Sequence, residues 1–144
     1  MIQRKQSIWL FLAAMLNGAL FIFPLFTYKT LGSFDPVVES ARSFLPLFIL
    51  AALITLLPLI TIFLFRNRGR QKAMTLTSIM ASAVFLVVLM LHIGNVKEKL
   101  GGSVAVNYAL PGVLLPILAI IFLIMAYRGI RHDEKLIKSL DRLR

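Results

Sequence analysis

Four long uncharged runs, separated by short charged stretches, set the plan of the chain. They are "IWLFLAAMLNGALFIFPLF" at 8–26, "FLPLFILAALITLLPLITIFLF" at 44–65, and further runs at about 74–93 and 108–127. None contains Asp, Glu, Lys or Arg. A bilayer core about 30 Å thick is crossed by roughly 20 apolar residues of helix. The pattern therefore predicts an all-α membrane protein, a four-transmembrane-helix bundle in a single integral membrane domain over 1–144. The first run has the basic start of a secretory signal in Arg4 and Lys5. Its apolar stretch exceeds the usual length of roughly 7–15 residues, and no small-x-small cleavage site ends it, so it reads as a retained anchor.

The segments between the runs carry the turn and cap signals. In "SFDPVVESARSF", Asp35 is placed to cap a short helix and Pro36 to occupy its first position, where a missing N–H costs nothing. "RNRGRQK" is short, with Gly69 as the expected turn, which makes the second and third spans antiparallel neighbours. "VKEKLGGSVAVNY" places Gly101-Gly102 between two segments of strand-like pattern, so a small hairpin and an irregular loop are both open there. In the tail, 128–144, Ile130, Leu136, Ile137, Leu140 and Leu143 recur at helical spacing, and Glu134 precedes Lys138 by one turn. This predicts an amphipathic C-terminal helix that either extends the fourth span or bends at Gly129 to lie along the membrane surface.

Charge gives the bundle a direction. The 144 residues carry sixteen Lys and Arg against six Asp and Glu, for a net charge of +10. Four spans put both termini and the middle loop on one side, and that side holds twelve of the sixteen cations. Lys and Arg concentrate on the cytoplasmic side of short-looped membrane proteins, so both termini are expected in the cytoplasm. Arg4, Arg66, Arg68, Arg70, Arg131, Lys135, Lys138, Arg142 and Arg144 are the candidates for binding anionic lipid headgroups or a protein partner. Nucleic acid is not expected, because the tail beyond Tyr127 has no Phe, Tyr or Trp to stack on bases and mixes three acidic residues among its cations.

The chain offers little chemistry. It has no cysteine, which removes disulfides, thiol redox chemistry and thiolate metal sites. His92 is the one ionisable residue inside a predicted span, near its outer end, and it reads as an interfacial hydrogen bonder. His132 lies across the membrane from it, and the adjacent Asp133 and Glu134 point to different helix faces. No catalytic set, cofactor or metal site is therefore expected. Inside the spans, Ala14 with Gly18 and Ser78 with Ser82 form small-xxx-small pairs for close helix packing, and Asn17 is placed to hydrogen bond across helices. Pro24, Pro46, Pro58, Pro111 and Pro116 lie in or beside the spans, and each interior proline frees a backbone carbonyl.

The ends, "MIQRKQSIWLFLAA" and "IRHDEKLIKSLDRLR", resemble those of an uncharacterised family of short four-span bacterial inner-membrane proteins with a basic cytoplasmic tail. That resemblance implies no catalytic or ligand residue. It implies that Gln3-Arg4 and the tail from Asp133 to Arg144 act together at one surface. The expected function is that of a non-enzymatic accessory, assembly or structural subunit of a bacterial inner-membrane complex. The alternative is a small oligomeric carrier or channel for a lipid-like or uncharged molecule, motivated by the hydroxyls of Thr55, Thr61, Thr75, Thr77 and Ser78.

Overall fold

The long apolar runs form helices because a chain without competing polar groups satisfies its backbone best by internal i to i−4 bonds. In the computed structural model the backbone is described for residues 3–29, 35–101 and 106–141, and side chains for 5–29, 35–101, 106–107 and 109–136. The elements in order are α1 (Gln3–Gly18), a 3₁₀ turn (Ala19–Phe21), β1 (Phe26–Tyr28), β2 (Val37–Glu39), α2 (Leu45–Phe63), α3 (Arg68–Lys99), β3 (Val106–Tyr108) and α4 (Leu110–Asp141). The molecule is mostly helical. Each of α1 and α3 packs against both α2 and α4, which makes α1–α3 and α2–α4 the diagonals of the bundle.

Among the described residues, three helices, those beginning at Leu45, Arg68 and Leu110, are long and apolar enough to cross a membrane. The first helix is shorter than the run at 8–26 predicts. It stops at Gly18, tightens into the 3₁₀ turn, and gives way to extended chain by Phe26. Sixteen α-helical residues and one 3₁₀ turn together rise about 30 Å. The third and fourth helices overshoot their predicted spans, each with 32 residues. Such helices rise about 48 Å, well beyond a hydrocarbon core of about 30 Å.

Two local expectations are corrected, and one of two open alternatives is removed. The segment after Asp35 is a strand, not a helix: the β-branched pair Val37-Val38 enters a sheet. That sheet has the order β2-β1-β3, with both pairings antiparallel. Phe26 faces Glu39 on one side and Tyr108 on the other. No local hairpin forms at Gly101, because α3 continues to Lys99; Val106–Tyr108 pairs instead with β1, far away in sequence. Gly101, at φ +79°, ends α3 in the left-handed conformation that glycine adopts without penalty. Between α2 and α3, Asn67 rather than Gly69 makes the turn: its Oδ1 accepts from Arg70 N at 3.2 Å and caps α3. As far as Asp141 the tail takes the first of its two expected courses, continuing α4 without a break at Gly129, and residues 142–144 lie outside the described ones.

The buried apolar residues fall into two groups. One, containing Leu20, Phe26, Leu47, Ile54, Phe85 and Leu89, fills the half of the bundle beneath the sheet. The other, Leu10, Ala13, Ala119, Leu123 and Ala126, zips α1 to α4 toward the opposite end, where Trp9 stacks on Phe122 at 5.5 Å. Large apolar side chains such as Ile22, Phe63, Met80 and Leu91 cover the outside.

Candidate functional site

The start of α1, the α2–α3 turn and the end of α4 meet at one end of the bundle, and charge chemistry concentrates there. Arg68 and Lys72, one turn apart on α3, present their cations to the adjacent carboxylates of α4. Arg68 Nη1 lies 3.3 Å from Asp133 Oδ2, and Lys72 Nζ lies 2.6 Å from Glu134 Oε2. From α1, Gln6 Nε2 donates to the same Asp133 Oδ2. Gly129 makes that approach possible, since a Cβ there would sit 3.0 Å from Gln6 Cγ. Asp133 is only 4% exposed, and its Oδ1 has no hydrogen-bond partner among the described residues. One buried carboxylate thus ties three helices together. Beside it, Gln71 Nε2 reaches back to Thr61 O at 3.4 Å, joining α3 to α2.

With both acids engaged by α3, six other cations of this end, Lys5, Arg66, Arg70, Arg128, Arg131 and Lys135, are exposed. The predicted lipid- or partner-binding residues therefore separate. Arg66, Arg70, Arg131 and Lys135 face outward, whereas Arg68 is 27% exposed and turned inward to Asp133. The side chains of Arg4 and Lys138, and residues Arg142 and Arg144, lie outside what the structure describes.

The predicted packing residues sit inside the bundle. Ala14, Ser78 and Ser82 are buried, and Gly18 lies against α2, where a Cβ would meet Thr55 Cγ2 in ordinary contact at 3.6 Å. Ser78 and Ser82 each donate to the carbonyl one turn back, as do Thr55, Thr61, Thr75 and Thr77. Asn17 is fully buried and donates from Nδ2 to Ile54 O at 2.9 Å. Ile54 is the residue four before Pro58, so its carbonyl is the one that proline leaves without a helical N–H. The amide of α1 supplies the donor that α2 lacks.

At the opposite end, His92 packs against aromatic rings. It stacks on Phe44 at 4.1 Å and meets Phe26 edge-on at 5.8 Å, beneath the sheet. Among the described residues, no group of three His, Asp or Glu side chains is placed to hold a metal ion.

Sequence reasoning passed over Gln6 and named Asp133 only among the tail residues, not as a buried one, although the signal was present. Gln6, Leu10, Ala13 and Asn17 follow i, i+4, i+7, i+11 on α1, and Ala119, Leu123, Ala126, Ile130 and Asp133 share one face of α4. A polar residue in register with an apolar stripe is an interior residue. No curated protein and no solved structure matches the chain. A family model does, over residues 2–143, and the chain belongs to the family of the domain of unknown function DUF4293.

Proposed function

We propose that this chain is a four-span protein of the bacterial inner membrane with both termini in the cytoplasm, and that it serves as a non-enzymatic accessory or assembly subunit of a membrane complex. The observation that carries this reading is the division of charge at the basic end. Asp133 and Glu134 are engaged inside the bundle by Arg68 and Lys72, while Arg66, Arg70, Arg131 and Lys135 are exposed beside them. Such a surface attracts anionic headgroups, at about 1 kcal/mol per cation near the lipid, and acidic segments of a partner equally. Because Ala14, Asn17, Gly18, Ser78 and Ser82 are spent on packing within the bundle, partner contacts fall to the outer apolar faces and the basic end. The carrier reading stands second, since the hydroxyls that motivate it donate to their own helices.

The test is crosslinking and mass spectrometry in native membranes, followed by gentle extraction. Other membrane proteins should be recovered in stoichiometric amounts, and a combined R66Q/R70Q/R131Q/K135Q variant should lose them while accumulating normally. A lone monodisperse species in several mild detergents and in native nanodiscs would remove the subunit reading. Flux through reconstituted vesicles above empty controls would favour the carrier.

A further inference from the structure

Among the described residues, buried polar side chains are confined to half of the bundle. On α3, Gln71, Thr75, Ser78 and Ser82 line the buried face nearest the basic end, and the same face continues as Phe85, Leu89 and Ile93. On α1, Gln6 and Asn17 bracket the buried Leu10 and Ala13. Residues 6 and 17, like 71 and 82, are separated by about 16 Å of helix rise. Both helices start at the basic end, so the α3 stripe runs level with this stretch of α1. Beyond that level Ile54, Phe85 and Leu89 are fully buried in the apolar group beneath the sheet.

Two oxygens in this polar file have no hydrogen-bond partner among the described residues: Asp133 Oδ1 at its mouth and Asn17 Oδ1 at its deep end. The orientation of the Asn17 amide follows from chemistry, because the Ile54 carbonyl can only accept and must face the nitrogen. Asp133 has both its donors, Gln6 and Arg68, on the other carboxylate oxygen. Both orphaned atoms are therefore acceptors, and what completes them must donate. The hydroxyls of Thr75, Ser78 and Ser82 have committed their protons to backbone carbonyls and keep lone pairs to accept. Two orphaned acceptors, with further acceptor hydroxyls at the same depth on α3, suit water, which donates twice and ordinarily completes buried polar groups.

We propose that the basic half of the bundle interior is a one-sided water site. Water enters beside Asp133, donates to Asp133 Oδ1 and Asn17 Oδ1, and stops at the seal of Ile54, Phe85 and Leu89. The seal makes it a dead end rather than a pore, and its existence does not depend on the subunit role proposed above.

The chain has no cysteine, so single thiols report on it cleanly. The full-length variants Ser78→Cys, Ser82→Cys and Ala51→Cys, the last in the apolar half, are reacted in lipid nanodiscs with a small hydrophilic methanethiosulfonate. A thiol reacts as its thiolate, which forms where water reaches it, so the two serine positions should react at least about tenfold faster than position 51. Thr75→Cys replaces either serine variant if one fails to fold. Rates at 78 and 82 as slow as at 51, or fast rates at all three, would overturn the proposal. Adding Asn17→Leu should slow modification at 82 severalfold and leave 78 unchanged; an unaltered rate at 82 would sink the assignment of Asn17 as the deep end.

Discussion

At the scale of single residues, the pairing of Asn17 with a carbonyl freed by proline makes the sharpest claim. Replacing Asn17 by Leu leaves Ile54 O buried without a donor and should cost about 1–2 kcal/mol. Replacing Pro58 by Ala restores a helical N–H to that carbonyl and removes the need for Asn17. The two changes should therefore be non-additive by about 1 kcal/mol in a double-mutant cycle read by unfolding in detergent, with N17L nearly harmless in the P58A background. Additivity would mean that Asn17 acts elsewhere. Glycines make a second, graded test. A Cβ on Gly112 would lie 2.3 Å from Leu25 O, a backbone atom that cannot swing away, so Gly112→Ala should cost about 3 kcal/mol. At Gly129 the obstacle is the flexible Gln6 side chain, and Gly129→Ala should cost about 1 kcal/mol. A Cβ on Gly94 would meet nothing within 4 Å, so Gly94→Ala should leave the protein as stable or slightly more so, by up to about 1 kcal/mol. Melting temperatures in one detergent should follow that order.

At the scale of elements, helix length and span length turn out to be different quantities. Hydropathy marks where charge begins, and the sequence reading closed the third and fourth spans there. At the basic end the helices run on, because Arg68 and Lys72 at the start of α3 and Asp133 and Glu134 near the end of α4 neutralise each other across the gap. Asp133→Ala should cost about 1–3 kcal/mol and raise amide hydrogen exchange over 128–136 and in the first turn of α1, while 112–127 stays protected. Glu134→Ala should do much less, since the Lys72–Glu134 pair is more open to water. Equal effects would deny Asp133 its place at the junction of three helices. The apolar runs were legible because some twenty uncharged residues have few other fates. The sheet was legible only at β3, which falls in a segment of strand-like pattern, and its partner was not. β1 and β2 are three residues long, and the Pro36-Val37-Val38 signal suits a helix start as well as a strand. The basic end was half legible: its cations were named from sequence, but not which of them the buried Asp133 would claim.

At the scale of the whole molecule, the sheet and the basic cluster occupy opposite ends, and orientation follows as one question. With both termini in the cytoplasm, Lys135→Cys should resist a membrane-impermeant maleimide in intact cells, and Val38→Cys, exposed on β2, should label. The reverse pattern would turn the protein over and remove the cytoplasmic role of the basic end. The topology of the sheet also has a consequence for biogenesis. β1 is the central strand, and its partner β3 is synthesised about 80 residues later. At roughly 5–20 residues per second, that is a wait of about 4–16 s. Until then β1 has an unpaired edge. Resistance of the 26–39 region to protease during synthesis should therefore appear only after β3 has been made and just before α4 follows it; resistance before that point would mean that β1 and β2 are protected without β3.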